Sequence, residues 1–86
     1  MQITTTKKFD KQFKKQTRKI QQEFSKRMSL FLTDIHNPLL NTHRLTGDLG
    51  DLWSFNISGD IRVIFDKSFN DSVVLEAIGS HSELYG

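Results

Sequence analysis

The spacing of the apolar residues changes once along this chain, and that change limits the fold more than any other feature. Between about Arg18 and Ile35 the apolar residues recur at steps of three and four: Ile20, Phe24, Met28, Phe31 and Ile35. This spacing predicts an amphipathic helix that buries one stripe. After Gly50 the period becomes two, which predicts strands whose alternate side chains lie on opposite faces of a sheet.

Local signals predict the elements before the change. Gln2 to Thr5 is rich in Thr and Ile, which favours a first strand. Thr6 is a candidate N-cap for a short helix in which Phe9 and Phe13 lie one turn apart. Because the sequence leaves little room for a loop between Phe13 and Ile20, the two helices are expected to form an αα-hairpin. Pro38 marks the end of the helical region.

Three antiparallel strands are predicted after the helices. The first two run from Trp53 to Ile57 and from Ile61 to Phe65, with a hairpin turn at Ser58 and Gly59 between them. A polar turn at Asn70 and Asp71 leads into a last strand, Ser72 to Ile78. The predicted order is β-α-α-β-β-β in one domain, residues 1–86. This is an α+β fold with a two-helix hairpin on one face of a small, mostly antiparallel sheet.

Charge is distributed unevenly, although the net charge is only +2. Up to Arg27 there are nine basic residues and two acidic ones, which points to a polyanionic partner such as nucleic acid or an acidic protein segment. A solvated helical face is the alternative. The absence of cysteine excludes thiolate chemistry and disulfides. With no apolar run long enough to span a membrane, we expect a cytoplasmic protein without membrane contact.

The period of two also assigns faces. If Ile61, Val63 and Phe65 face the helices, then Arg62 and Ile64 face the other way, and so do Ser54 and Asn56 on the preceding strand. One sheet face is therefore available for a ligand. For Arg62 the alternative is an exposed cross-strand pair with Glu76.

Three histidines differ in their surroundings. His36 follows the second helix, where a cation near the helix C-terminus explains it. It begins a long connection, residues 36–50, of a length that is often functional. His43 lies in this loop and His81 follows the last strand, so neither belongs to an apolar stripe. Both are candidates for proton transfer, and exposed histidines without a role are the alternative.

Two segments carry a family resemblance. The stretch HRLTGDLGDLWSFNISGDIRVIF, from His43 to Phe65, and the ending IGSHSELYG resemble the RelE/ParE superfamily of toxins from bacterial toxin–antitoxin pairs. The ending, with its glycine, hydroxyl residue, histidine, leucine and aromatic, resembles the YafQ-like branch of ribosome-dependent mRNA endonucleases. The resemblance implies a RelE-like fold, a cognate antitoxin, and cleavage of mRNA on the ribosome by attack of a ribose 2′-hydroxyl on the adjacent phosphate. It implies neither a metal nor a small-molecule cofactor.

The same resemblance implies roles for five residues. His81 matches the terminal histidine of the motif and would act as acid or base, and Tyr85 matches the aromatic that would orient the nucleotide or the phosphate. His43 and Asp60 match a loop histidine and an aspartate at the start of a strand, either of which would be the partner of His81. Arg62 resembles a strand arginine that contacts phosphate, a task that suits a guanidinium.

One position departs from the YafQ pattern, because Asn56 stands where a further histidine is expected. Asparagine can hold a substrate but does not accept a proton at neutral pH. An inactive, antitoxin-binding relative is therefore an alternative function. A ParE-like gyrase inhibitor, which needs no catalytic histidine, is another. Contacts to RNA are expected from Asn56 and from the basic residues of the helices: Lys7, Lys8, Lys11, Lys14, Lys15, Arg18 and Lys19.

Overall fold

A five-stranded sheet covered on one face by two helices forms the part of the chain that the computed structural model describes, residues 1–45 and 51–85. The strands are β1 (Gln2–Thr5), β2 (His43–Arg44), β3 (Leu52–Ser58), β4 (Ile61–Asp66) and β5 (Ser72–Ser80). The helices are α1 (Lys7–Lys14), α2 (Arg18–Thr33) and α3 (His81–Tyr85). The sheet order is β1-β5-β4-β3-β2, in which only the β1–β5 pair is parallel among the described strands. The predicted α+β fold is confirmed.

Both long helices begin at threonine caps. The Thr6 hydroxyl accepts the Phe9 N–H at 3.0 Å, and the Thr17 hydroxyl accepts the Ile20 N–H at 3.2 Å. α2 ends at Thr33, two residues before the predicted end, because the backbone of Asp34 leaves the helical conformation, with φ −154° and ψ 82°. Beyond it, the Thr42 hydroxyl donates to the Ile35 carbonyl. Among the described helices, none has the length and apolar character needed to cross a membrane.

The core lies between α2 and the centre of the sheet. The rings of Phe31, Phe55 and Phe65 form a triangle with centroid separations of 4.8, 5.1 and 5.7 Å. Leu40 is fully buried in the same cluster, and its carbonyl accepts the Asn56 N–H at 2.7 Å. The long connection predicted as a functional loop therefore contributes to the core and to the sheet. Its last part, residues 46–50, lies outside the described residues.

α1 lies along the part of β5 that extends beyond β1. The Thr6 N–H donates to the Leu75 carbonyl, and its hydroxyl donates to the Glu76 carbonyl. The Ile78 N–H donates to the side-chain carbonyl oxygen of Gln12 at 2.9 Å. These bonds satisfy backbone groups on the edge of β5 and hold α1 against it.

The order differs from the prediction by two short elements, β2 and α3. β2 has only two residues and α3 has five, so neither is long enough to show a periodic pattern. β5 also continues to Ser80, two residues past the predicted end. His36, interpreted as a cation at the end of α2, lies three residues past the end of that helix, and its ring lies 6.3 Å from that of Trp53.

Candidate active site

The turn between β3 and β4 brings Asp60 next to the start of α3. Ser58 pairs with Ile61, so the loop consists of Gly59 and Asp60, and Gly59 has a φ of +53° that favours glycine. Asp60 Oδ2 accepts the His81 N–H at 3.3 Å, and Asp60 Oδ1 lies 3.9 Å from Arg62 Nη2. The structure therefore brings together three of the predicted catalytic residues.

Two irregularities in the sheet set the register around Arg62. Ile57 is an extra residue in β3 and Glu76 is an extra residue in β5, so each strand carries a β-bulge. Between the bulges, Arg62 pairs with Asn56 on one side and Gly79 on the other. The alternative pair of Arg62 with Glu76 is not formed, because the cross-strand partner of Arg62 is Gly79, three residues further along β5.

Two buried polar atoms in this row have no hydrogen-bond partner among the described residues. They are Asn56 Oδ1 and Arg62 Nε. A buried polar atom without a partner costs free energy. Both side chains are otherwise partly exposed, so their accessible polar atoms suit a ligand that both donates and accepts, such as a ribose hydroxyl beside a phosphate oxygen.

A capping box holds α3 against the end of β5. Glu83 Oε1 accepts the Ser80 N–H at 2.8 Å, and the Glu83 N–H donates to the Ser80 hydroxyl at 3.2 Å. The bond from the Ser80 backbone N–H, assisted by the Ser80 side chain, lowers the pKa of Glu83 below its ordinary value. Gly79 allows this closeness, since a Cβ there would lie 3.1 Å from Glu83 Oε1 and 3.5 Å from Leu84 Cδ2.

α3 places His81 and Tyr85 on the same side of one helical turn. Their ring centroids are 4.7 Å apart, with an interplanar angle of 59°. Both side chains are exposed, so a ligand can reach the imidazole and the phenol. The aromatic predicted to orient a nucleotide is therefore in contact with the predicted acid or base.

His43 lies at the opposite edge of the sheet, on β2, where it pairs with Ser54. Its Nδ1 is 2.8 Å from the Asn41 carbonyl, and because a carbonyl only accepts, Nδ1 carries the proton in this contact. In the neutral ring, Nε2 is then the acceptor, and it lies 3.4 Å from the buried Ser54 hydroxyl. Within the described parts of the chain, His43 has no hydrogen bond or ring contact with His81, Asp60 or Arg62.

A groove crosses the sheet face between α3 and β2, which we call the sheet groove. It has a volume of about 410 Å³ and is lined by both apolar and charged side chains: Lys8, Leu45, Leu52, Ile64, Glu76, Ala77, Leu84 and Tyr85. Its floor residues Ile64 and Ala77 are buried, as is Ser54 beside them. The face predicted to be open to a ligand is therefore partly covered.

The lysines of α1 form a second groove next to the first, which we call the lysine groove. It is lined by Lys7, Lys8, Lys11, Gln12 and Lys15. Lys8 belongs to both grooves, and Gln12 and Lys15 also line a small cavity with Glu83. Lys14, Arg18 and Lys19 are exposed but do not line either groove. Four of the seven predicted basic RNA contacts thus lie on one surface that adjoins α3.

The sequence also contained a signal for α3 that periodicity does not detect. Ser80 and Glu83 form the S-x-x-E pattern of a capping box, which predicts a helix start after Ser80. The roles of Gly79, Ser54 and Leu84 depend on tertiary contacts and have no comparable local signal. Within the described residues, no group of three or more histidine, aspartate or glutamate side chains is arranged to hold a metal ion.

Comparison with solved structures places this fold among small bacterial toxins. YafQ from E. coli strain BL21(DE3) has 17% sequence identity and a TM-score of 0.81, over 98% of this chain and 97% of that one. A metal-bound toxin from Helicobacter pylori has 27% identity and a TM-score of 0.74, over 99% of each chain. YafQ in the E. coli DinJ–YafQ toxin–antitoxin complex has 18% identity and a TM-score of 0.79, over 98% and 96%. No curated protein sequence matches the chain significantly.

The fold is therefore that of the RelE-like toxins. Residues 1–86 match the family described as "Bacterial toxin of type II toxin-antitoxin system, YafQ". The chain belongs to this family, as the resemblance of its ending predicted.

Proposed function

We propose that this toxin is a ribosome-dependent mRNA endonuclease that needs no metal ion in its chemical step. The observation that supports this most directly is the meeting of His81, Asp60, Arg62 and Tyr85 at one end of the sheet. Together they supply a proton-transfer group, a carboxylate, a cation and an aromatic surface within one small area. Cleavage of RNA by its own 2′-hydroxyl requires such groups and no external nucleophile.

In the proposed reaction, the ribose 2′-oxygen attacks the adjacent phosphorus and the bond from phosphorus to the 5′-oxygen breaks. A base takes the proton of the 2′-hydroxyl and an acid donates one to the leaving 5′-oxygen, which gives a 2′,3′-cyclic phosphate and a 5′-hydroxyl. Arg62 stabilises the negative charge that develops on the phosphoryl oxygens. Asn56, its cross-strand neighbour, holds the ribose or the phosphate through its amide.

His81 is one of the two proton-transfer groups, and either Asp60 or His43 is the other. Asp60 contacts the backbone of His81, whereas His43 lies on the edge strand β2 with its Nε2 3.4 Å from the Ser54 hydroxyl. Substitution of each by alanine distinguishes them, because loss of a general acid or base lowers the rate by about 10²–10⁴-fold. The residue whose removal also eliminates one limb of the pH–rate profile is the second group.

The lysine groove supplies the affinity for ribosomal RNA, and a cognate antitoxin is the protein partner. Lysines that neutralise RNA phosphates release counterions, so binding to ribosomes is expected to weaken steeply as salt increases. The antitoxin proposal is supported by the family, whose members are toxins of type II toxin–antitoxin systems, and by the E. coli DinJ–YafQ complex. Because ribosomes and mRNA are the proposed targets, the proposed site of action is the cytoplasm.

The test compares wild type with His81→Ala on translating ribosomes that carry a defined mRNA, with mapping of new 5′-hydroxyl ends. His36→Ala is the matched control, because His36 is also exposed but contacts Trp53 on the helix side of the sheet. We expect cleavage by wild type and His36→Ala, and a loss of about 100-fold or more in His81→Ala. Cleavage that persists with chelators of transition metals supports the metal-free step.

Two outcomes contradict the proposal. Equal cleavage by wild type and His81→Ala removes His81 from the mechanism. Absence of cleavage by wild type favours the alternatives, and a parallel assay of gyrase-mediated DNA breakage then separates a ParE-like inhibitor from an inactive, antitoxin-binding relative.

A further inference from the structure

We propose that Asn41 is a positioning residue for His43. The left-handed backbone of Asn41 directs its carbonyl at Nδ1 of the imidazole, which holds His43 in the tautomer whose Nε2 accepts a proton. His43 is then the base that takes the proton of the ribose 2′-hydroxyl, and His81 is the acid. This inference rests on the proposed function and assigns its two proton-transfer roles.

The turn from Leu40 to Thr42 is fixed at both ends. Leu40 is fully buried, and its carbonyl accepts the Asn56 N–H at 2.7 Å. The Thr42 hydroxyl donates to the Ile35 carbonyl at 2.6 Å. Between them, Asn41 has a φ of +47°, a left-handed conformation that asparagine adopts more readily than most residues with a side chain. The flanking contacts therefore determine where the Asn41 carbonyl lies.

The Asn41 carbonyl determines which ring nitrogen of His43 carries the proton. It lies 2.8 Å from Nδ1, and a carbonyl oxygen only accepts hydrogen bonds. A proton on Nδ1 makes a hydrogen bond, whereas the other tautomer would place two acceptors against each other at this distance. The bond made by one imidazole nitrogen thus sets the state of the other, so Nε2 of neutral His43 is left as the acceptor.

A hydroxyl group already lies beside Nε2 of His43. It belongs to Ser54, which is fully buried, and the distance of 3.4 Å between Oγ and Nε2 is long for a hydrogen bond. The His43 side chain itself is exposed, so a substrate has access to the ring. The contact with Ser54 shows that a hydroxyl donor fits beside Nε2, and its length makes it easy for a ribose hydroxyl to replace.

The position of His43 on the sheet brings Nε2 within reach of a bound ribose. His43 pairs with Ser54 on β3, so Asn56, two residues along that strand, is its diagonal neighbour on the same face. Diagonal neighbours in an antiparallel pair are about 7–8 Å apart, a separation that long side chains bridge. Asn56 in turn pairs with Arg62, the proposed phosphate-binding cation. A ribose held at Asn56 is therefore accessible to both Arg62 and His43.

The first experiment identifies the tautomer and does not depend on cleavage. Two-bond proton–nitrogen NMR spectra of isotope-labelled protein distinguish the two forms of imidazole, and they are recorded at about pH 8, at which imidazole side chains are ordinarily neutral. Wild type is compared with Asn41→Gly, which keeps the left-handed backbone, and with Asn41→Val, whose β-branched side chain opposes it. We expect His43 to carry its proton on Nδ1 in wild type and Asn41→Gly and to lose this preference in Asn41→Val. The signals of His36 and His81 should be the same in all three proteins.

The second experiment measures mRNA cleavage on ribosomes. Asn41→Val should lower kcat by about tenfold and leave KM within about twofold of wild type, because a misplaced base slows the chemical step without weakening RNA binding. Asn41→Gly should stay within about twofold of wild type in both constants. His43→Ala should lower kcat by about 100-fold. Adding Asn41→Val to His43→Ala should cause no further loss, since a residue that acts only through His43 is not additive with it.

Three results overturn the positioning role: a wild-type His43 with its proton on Nε2, an unchanged tautomer in Asn41→Val, and a loss of kcat from Asn41→Val that is equal with and without His43. If Asn41→Val does not fold in urea denaturation, Asn41→Ala, which opposes the left-handed conformation less strongly, replaces it in both measurements.

The base assignment and the proposed function fail in different ways. Cleavage by His43→Ala at the wild-type rate overturns the assignment of His43 as base and leaves the proposed function to Asp60 and His81. A wild type that cleaves no mRNA but has an Asn41-dependent tautomer at His43 rejects the proposed function and supports the positioning role.

Discussion

The two faces of the central strands differ in what covers them, and the difference separates stability from chemistry. On the helix side, Phe55, Val63 and Phe65 are fully buried beneath α1 and α2. On the other side, Asn56 and Arg62 alternate with them, and that face is bordered by the short helix α3 and strand β2. The Asn56 and Arg62 side chains stay partly exposed on this face, so a ligand can reach their accessible polar atoms. The same two strands thus form a closed core and an open site.

Removal of a core ring should have the largest effect on this comparison. Phe55→Ala deletes a fully buried ring that contacts Phe31 and Phe65, so the free energy of unfolding should fall by about 3–5 kcal/mol. For an 86-residue domain this is a large part of the total stability. Urea denaturation measures the change. The control is Phe69→Ala, which removes a ring that is 56% exposed and should cost about 0.5 kcal/mol or less.

If Phe55→Ala and Phe69→Ala unfold at similar urea concentrations, the helix-side cluster is not the main source of stability. The assignment of stability to one face would then be wrong.

Replacement of Arg62 should show the opposite pattern, with a large loss of activity and little loss of stability. Arg62→Ala removes the cation beside Asp60 and should lower the mRNA cleavage rate by about 100-fold or more, as expected for a group that stabilises charge in the transition state. The guanidinium has a buried nitrogen without a partner among the described residues, so its removal relieves a cost as well.

Arg62→Lys makes the test more specific, because it keeps the positive charge but removes the planar guanidinium group that can bind phosphate with two N–H donors. Its cleavage rate should remain well below that of wild type, while its melting temperature stays close. Full activity in Arg62→Lys would show that a point charge is sufficient and that bidentate binding of phosphate has no part in catalysis.

The sequence predicted the helix side of this comparison better than the other side. Periodicity of three to four located α2, and periodicity of two located β3 and β4, because both patterns extend over several residues that bury one face. The same alternation correctly placed Arg62 and Asn56 on the face away from the helices. In long helices and strands, burial of one face produces a repeating pattern of apolar residues that can be recognised in the sequence.

The sheet face away from α1 and α2 depends on features that are difficult to predict from one sequence. The bulge at Glu76 changes which residue pairs with Arg62, but a β-bulge has no characteristic sequence by which it could be predicted. β2 is too short for a pattern, and the contact of Asp60 with His81 joins residues that are distant in the chain. The family resemblance named these residues as candidates, but their proximity depends on the tertiary fold.

Gly79→Ala should have a moderate effect that is confined to the open face. The added Cβ would lie 3.1 Å from Glu83 Oε1, which is held by the Ser80 N–H, so the Glu83 carboxylate must move by a few tenths of an ångström and the capping box is disturbed. Small displacements of catalytic groups reduce rates strongly, and we expect a loss of about tenfold in mRNA cleavage. Urea denaturation should show a nearly unchanged core.

Val74→Ala is a useful control for Gly79→Ala, because it changes a position on the same strand that lines neither the sheet groove nor the lysine groove. Wild-type cleavage by Gly79→Ala would mean that the position of α3 does not limit the reaction.

Acidification should produce the smallest effect, a loosening of α3 while the core stays folded. The bond from the Ser80 N–H lowers the pKa of Glu83, so the ionised carboxylate is favoured when the cap is formed. The contribution of the cap is therefore complete above the unfolded pKa, ordinarily 4.5, and is lost as pH falls through the lower pKa of the folded state. NMR measures the loosening of α3 through the contact between the His81 and Tyr85 rings, followed from about pH 6 to about pH 3.

Glu83→Gln keeps an oxygen that accepts the Ser80 N–H but cannot ionise, so this pH dependence should disappear. Glu76→Gln, which changes a carboxylate outside the cap, should leave it unchanged, and an identical pH dependence in Glu83→Gln would assign the transition to another group.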